Sequence, residues 1–143
     1  MSNSPVQLRR LLWVGPLTIV AAVIAVQIVR FIILALLPEA KNAMQLSVLG
    51  ISVVFTAVLV LGAVLVFALV ARFSARPLAL YQRIALIVLI ISFIPDILLA
   101  RSSMPGASWS NTIALMLLHV VAWAVTVWML TNLTVAERIQ QPA

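Results

Sequence analysis

The sequence has no cysteine and very few charged residues. Its 143 residues include nine basic side chains, three acidic ones and a single histidine, and 65% of the chain is hydrophobic against 8% charged. The missing cysteines exclude disulfides, thiolate metal sites and thiol redox chemistry. Ordinary soluble domains carry about 25% charged residues. The composition therefore excludes a free soluble enzyme, a nucleic-acid-binding domain and a disordered chain, and it requires a surrounding lipid bilayer.

Sequence signatures of catalysis are missing as well. The chain contains no carboxylate pair, no metal-ligand spacing, no nucleophile–base arrangement and no glycine-rich phosphate loop. We therefore predict that the protein is not an enzyme and needs no cofactor for catalysis.

Four long apolar runs dominate what is present. A transmembrane helix needs about 20 apolar residues to cross about 30 Å of hydrocarbon. Continuous runs lack the alternation of a membrane β-barrel, and short connections make sequential helices antiparallel. Turn-forming residues before the fourth run make Ser110 or Asn111 its expected N-cap. The prediction is one transmembrane domain over residues 1–143, an all-α, four-span helix bundle with spans at about 11–37, 44–70, 84–100 and 112–133.

The basic residues beside the spans predict the orientation. Lys41 and Arg101 fall on one side of the membrane, and six arginines fall on the other. The positive-inside rule then places both termini in the cytoplasm. The start resembles a secretory signal, but its apolar run continues to Leu37, which favours an uncleaved first span. The six arginines are Arg9, Arg10, Arg72, Arg76, Arg83 and Arg138.

Three ionisable side chains lie inside the spans: Arg30 in the first, Asp96 in the third and His119 in the fourth. At 1.5 Å per residue all three fall in the outer half of the membrane. An unpaired charge there costs about 2.5–3.5 kcal/mol. We expect Arg30 and Asp96 to form an ion pair, with His119 and Gln27 nearby. In the structural alternative, Arg30 reaches the headgroups, Asp96 reaches interfacial water and His119 bonds a carbonyl group.

The fourth span carries a patterned face. Thr112, His119 and Thr126 recur every seven residues, with Met116 and Trp123 about one turn on either side of His119. Such a stripe is typical of a packing seam between helices. It also suits an apolar ligand such as a lipid, a quinone or a pigment, because His and Trp are flat and have polar tips. A haem would need a second axial ligand from a methionine or another subunit.

Short motifs along the chain resemble those of one protein family. Gly15-Pro16 opens the first span, FSARP (73–77) precedes the third, SFIPD (92–96) lies inside it and His119 lies in the fourth. From about residue 10 to 133 the chain resembles a family of small four-helix bacterial membrane proteins catalogued only as a domain of unknown function. The resemblance implies a multi-pass protein of the bacterial cytoplasmic (inner) membrane with no assigned activity.

Three functions fit these observations. The first is an accessory subunit of a larger membrane complex, or a homo-oligomer, because four short spans enclose little space and leave much helix surface for lipid or a partner. The second is a small carrier or channel in which Arg30, Asp96 and His119 bind an anion or relay protons. The third is binding of a lipid, quinone or pigment at the fourth helix, beside His119 and Trp123.

Overall fold

The computed structural model describes residues 6–135, and the named elements within them are all helical. Val6 and Val135 form an isolated antiparallel bridge, and no strand occurs between them. Arg138, which contributes to the predicted orientation, lies outside the described residues. The elements are α1 (Leu8–Leu36), a 3-10 helix (Pro38–Asn42), α2 (Met44–Ser47), α3 (Leu49–Phe73), α4 (Pro77–Ala100) and α5 (Trp109–Leu133).

Four of these helices, α1, α3, α4 and α5, are long and apolar enough to cross a membrane. Their number and order confirm the all-α, four-span prediction. The second apolar run is not one helix, however, because Val48 is extended (φ −90°, ψ 108°) and separates α2 from α3. Helix α3 then continues to Phe73, three residues beyond the predicted end of the span.

The third and fourth spans begin earlier than predicted. Helix α4 starts at Pro77, because proline suits the first turn of a helix, where no backbone N–H donor is needed. Helix α5 starts at Trp109, and the hydroxyl of Ser108 caps it by accepting from the backbone N–H of Asn111 at 3.2 Å. The predicted caps at Ser110 and Asn111 are therefore wrong. Hydropathy marks the stretch that crosses lipid, whereas the starts of these helices depend on Pro77 and on the Ser108 cap.

The four long helices form a bundle in which α3 and α5 contact each other and α1 and α4 do not pack together. Helix α1 packs against α3 and α5, and α4 packs against the same two helices, so α1 and α4 lie on a diagonal. Of the residues in α4 only Tyr81 and Asp96 are buried, which makes it the helix most exposed to lipid. Two apolar clusters fill the bundle. One includes Val26, Ile33, Leu46, Leu115 and Leu118, and the other includes Val14, Val64, Phe67, Tyr81 and Leu130.

The two ends of the bundle are closed differently. At the loop end, formed by residues 37–48 and 101–108, the Ser110 hydroxyl donates to Glu39 Oε1 at 2.6 Å. At the terminal end, formed by residues 6–7, 74–76 and 134–135, the Arg10 Nη1 donates to the Val135 carbonyl at 2.9 Å. The backbone N–H of Gln7 donates to the carbonyl of Thr134 at 2.9 Å. At each end of the bundle, contacts between segments that are distant in sequence thus hold the helices together.

Candidate functional site

Arg30 is buried near the loop end, with 2% of its surface exposed. Its Nε donates to the carbonyl of Leu46 at 2.6 Å, and its Nη2 donates to the carbonyl of Ser47 at 2.9 Å. Its Nη1 lies 3.4 Å from Oε1 of Gln27, whose amide nitrogen donates to the hydroxyl of Ser52 at 2.9 Å. The guanidinium thus binds backbone carbonyls and one side-chain amide.

The break at Val48 explains this arrangement. In a continuous helix the carbonyls of Leu46 and Ser47 would accept from N–H groups one turn later, but α2 ends at Ser47 and leaves them without those donors. Inside a membrane an unsatisfied carbonyl costs several kcal/mol, and water is scarce. Arg30 supplies both donors from α1, so its role in the fold is to satisfy the end of α2.

The predicted ion pair between Arg30 and Asp96 is wrong. Arg30 lies on α1 and Asp96 on α4, which are diagonal in the bundle, and the nearest acceptors to the guanidinium are carbonyls. The predicted alternative in which Arg30 reaches the headgroups is also excluded by its burial. The expected cluster is therefore two separate groups, Arg30 with Gln27 and Asp96 with His119.

Asp96 and His119 form the second group, between α4 and α5. Nδ1 of His119 lies 3.0 Å from Oδ2 of Asp96, and the Asp96 residue is 7% exposed. The two side chains are in close contact, but the geometry is not that of a well-directed hydrogen bond. The hydroxyl of Thr112 donates to the backbone carbonyl of Asp96 at 3.1 Å and fixes the two helices beside the pair.

A pocket of about 370 Å³ lies next to this pair, between α3, α4 and α5. Its walls are apolar side chains of all three helices, and His119 and Trp123 line it from α5. Small residues keep the space open, and a Cβ atom added at Gly62 would touch nothing within 4 Å. The other small wall residues are Ala63, Ala85 and Ala122. Met116, which was predicted to share this ligand face, does not line the pocket.

Several polar atoms beside the pocket have no hydrogen-bond partner. They are Oη of Tyr81, Nε1 of Trp123 and Oγ1 of Thr126. Nδ1 of His119 also belongs to this group, because it is poorly aligned with Asp96. All four residues line the pocket, and all four atoms are shielded from solvent. Ser92, also on the wall, is satisfied because its hydroxyl donates to the carbonyl of Leu89 at 2.6 Å. Each unpaired buried group costs about 1–3 kcal/mol. Because these atoms have almost no accessible surface, the wall that a ligand would touch is nearly all apolar.

Metal-binding groups do not gather in this region. Among residues 6–135 no three His, Cys, Asp or Glu side chains come together as a metal site would require. The Nδ1 of His119 lies 3.0 Å from Asp96, and the wall of the pocket carries no other imidazole. The residues present thus suit an organic ligand better than a metal ion.

Sequence comparison gives a family without a function. The family model described as "Family of unknown function (DUF6069)" matches residues 3–136, nearly the whole chain. No curated protein and no solved structure matches the chain. The match confirms the resemblance to a family of unknown function, and it leaves the role of the pocket to be argued from the chain itself.

Proposed function

Because this chain belongs to the DUF6069 family, whose function is unknown, we propose from its own structure that it binds a lipophilic molecule. The proposed binding site is the pocket between α3, α4 and α5, and the proposed activity is binding without catalysis. We further propose that the protein resides in the cytoplasmic membrane of a bacterium with both termini in the cytoplasm.

The observation that carries this proposal is a pocket of about 370 Å³ whose exposed wall is almost entirely apolar. The polar residues on it are largely covered, since Tyr81 is 1% exposed and Thr126 is 4% exposed. Ligand pockets characteristically combine apolar walls with a few polar groups that orient the ligand, and this volume lies within their usual range of about 300–1,000 Å³. An apolar wall around a space of this size therefore suits a lipophilic molecule.

The rim of the pocket supports entry from the bilayer. Val58 is 61% exposed, and Leu59 and Val88 are each 57% exposed, although all three line the pocket. These side chains belong to α3 and α4, on the surface that lipid covers. A lipophilic ligand dissolved in the membrane therefore reaches the pocket sideways, between α3 and α4.

The other functions expected from the sequence have less support. A carrier or channel needs Arg30 in the same site as Asp96 and His119, but the guanidinium is engaged by the carbonyls of α2. The accessory-subunit or homo-oligomer role stays a prediction, because the exposed helix faces suit lipid and a protein partner equally well.

The test is to fill the pocket at Gly62. Both Gly62 and Gly50 are in α3 with open space where a Cβ would be, but only Gly62 lines the pocket. We expect Gly62→Leu to reduce the lipophilic compound that co-purifies in mild detergent by about tenfold, and Gly50→Leu to leave it unchanged. Mass spectrometry of the organic extract, per mole of folded protein, measures this compound.

An equal yield of that compound from both variants would exclude the pocket as its binding site. Circular dichroism and thermal denaturation establish that each variant is folded before the extracts are compared. Native mass spectrometry of the same samples also gives the copy number and any protein partner, which tests the subunit prediction separately.

A further inference from the structure

A stripe of residues on α3 leads from the pocket to the terminal end of the bundle. Val58, Gly62 and Val66 line the pocket and follow one another at intervals of four residues. Leu69 and Phe73 come three and seven residues after Val66, which keeps them on the same face of the helix, and both are exposed. The apolar surface of the pocket thus continues, open to lipid, to the last residue of α3.

Two arginines lie where this stripe ends. The guanidinium carbon of Arg72 lies 5.8 Å from the centre of the Phe73 ring, a cation–π distance, so Phe73 holds this charge at the end of the stripe. Arg76 belongs to the short connection between α3 and α4, the two helices between which the pocket opens. Both arginines are exposed. Two positive charges are therefore available at the terminal end of the opening.

These charges have no acidic neighbour in the part of the chain that the structure describes. Between residues 6 and 135 the acidic side chains are Glu39, at the loop end, and Asp96, which contacts His119 inside the bundle. Guanidinium groups bind phosphate oxygens through paired N–H donors. An anionic headgroup would therefore be attracted to this end, whereas a zwitterionic headgroup would bring a cation of its own.

The length of the stripe matches that of a lipid chain. Phe73 and Val58 are 15 residues apart, so the stripe is about 22 Å long at 1.5 Å per residue. One leaflet of a hydrocarbon core about 30 Å thick is about 15 Å deep. The pocket begins at Val66, about 10 Å along the stripe from Phe73. An acyl chain that starts beside Arg72 is therefore long enough to enter the pocket.

Resting on the proposed function, we propose that the lipophilic ligand is an anionic phospholipid of the leaflet at the terminal end. One acyl chain lies along the stripe and fills the pocket, and the phosphate binds Arg72 and Arg76. The chain thereby meets the apolar wall, and the charge stays at the interface, where its burial without a counter-ion is avoided. The proposal concerns binding, and it includes no chemical step.

Two lipids with the same chains separate the headgroup from the chain. Palmitoyl-oleoyl phosphatidylglycerol is anionic, and palmitoyl-oleoyl phosphatidylcholine is zwitterionic. Each lipid is titrated into the detergent-solubilised full chain, and native mass spectrometry gives the affinity for the first lipid bound. We expect the wild type to bind phosphatidylglycerol about tenfold more tightly than phosphatidylcholine.

Paired substitutions at the two ends of the bundle test the arginines. Arg72→Gln combined with Arg76→Gln should reduce the preference for phosphatidylglycerol to about twofold or less and leave the affinity for phosphatidylcholine unchanged. The matched control combines Lys41→Gln with Arg101→Gln, which removes two exposed positive charges from the loop end. This control should keep the preference of the wild type.

The acyl chain is tested at Gly62. Gly62→Leu should weaken the binding of both lipids by about tenfold, because the leucine side chain occupies the space that the acyl chain needs. Gly50→Leu adds the same side chain to α3 away from the pocket and should leave both affinities unchanged.

The outcomes distinguish the inference from the proposed function. Equal binding of the two lipids by the wild type, weakened by Gly62→Leu, would overturn the anionic headgroup while the pocket remains a lipophile site. An undiminished preference without Arg72 and Arg76, or an equal loss in the loop-end control, would overturn the assignment of the phosphate. Binding of both lipids that is unaffected by Gly62→Leu would overturn the proposed function as well, because the pocket would then not be the site.

Discussion

At the residue scale, Arg30 is a charge buried in the bundle whose partners are backbone carbonyls. The guanidinium has five N–H donors in a fixed plane, and in this protein two of its nitrogens bind the consecutive carbonyls of Leu46 and Ser47. A lysine ammonium would offer a compact point charge on a flexible stem instead of this fork. The geometry therefore accounts for an arginine at this position.

Replacing Arg30 by Met should destabilise the protein strongly. The substitution leaves two buried carbonyls without donors, at about 1–3 kcal/mol each, so we expect a loss of about 2–6 kcal/mol in the free energy of unfolding. Arg30→Lys should lose part of this amount, because one ammonium cannot reproduce the fork. The matched control is Arg101→Met, since Arg101 is exposed at the same loop end. Steric trapping in lipid bicelles measures the unfolding free energies.

The same measurements decide between two partners for Arg30. Arg30 and Asp96 share no hydrogen-bond partner and lie on diagonal helices. The losses in the free energy of unfolding caused by Arg30→Met and by Asp96→Asn should therefore add to within about 0.5 kcal/mol in the double variant. If the double variant loses clearly less free energy of unfolding than the two single variants lose together, the two charges interact.

The residues of the candidate site could be predicted from the sequence better than their partners could. A buried Arg, Asp and His stand out in apolar runs because each is costly in lipid, and the patterned face of α5 pointed to Trp123. The pairing of Arg30 could not be predicted, because hydropathy does not say which helices are neighbours. The break at Val48 is equally hidden, since it falls inside an apolar run. Tyr81 is a buried wall residue that packs edge-on against Phe67, and only the structure reveals this.

At the element scale, the two segments of the loop end meet at Gly106. Its φ of +81° lies in the region that favours glycine, and its carbonyl accepts from the side chain of Asn111 at 2.8 Å. A Cβ atom here would lie 2.6 Å from the backbone of Ala43 and of Asn42. This close approach holds residues 101–108 against residues 37–48 and so supports the segment that Arg30 binds.

Gly106→Ala should therefore destabilise the loop end. Both the positive φ and the backbone clash oppose the added methyl group, and we expect a loss of about 1–3 kcal/mol. Gly50→Ala is the control, because it adds the same methyl group in open space within a helix and should be neutral or slightly stabilising. Thermal denaturation in detergent compares the two. A Gly106→Ala protein as stable as the wild type would mean that the two segments separate without cost.

The bounds of the elements show where hydropathy succeeds as a predictor. It located all four spans, because about 20 apolar residues are needed wherever a helix crosses lipid. It missed the first turns of α4 and α5, whose starts depend on Pro77 and on the Ser108 cap. These signals are single residues at the helix start, so a pattern of apolar residues does not contain them.

At the scale of the whole molecule, the pocket follows from how four helices share a small core. Helices α1 and α5 are the most closely packed pair, whereas α4 buries only two residues and small side chains line its approach to α3 and α5. In water the hydrophobic effect would drive α4 onto α3 and α5 and close such a gap. In a bilayer this driving force is missing, because lipid tails cover the exposed sides of α3 and α4 as well as another helix would. A membrane therefore tolerates a lateral pocket that a soluble bundle of this size would close.

The distribution of arginines over the two ends predicts which end faces the cytoplasm. Arg76 is exposed at the terminal end, as are Arg9 and Arg72 nearby, and the basic residues of the loop end are Lys41 and Arg101. The positive-inside rule places the terminal end in the cytoplasm.

Because the chain has no cysteine, single cysteines introduced at Ala75 and Ser103 report on one end each, and both positions are exposed. In intact cells a membrane-impermeant maleimide should label Ser103→Cys, whereas Ala75→Cys should react only after permeabilisation. The reverse labelling pattern would place the loop end in the cytoplasm and contradict the assignment, whatever the pocket binds.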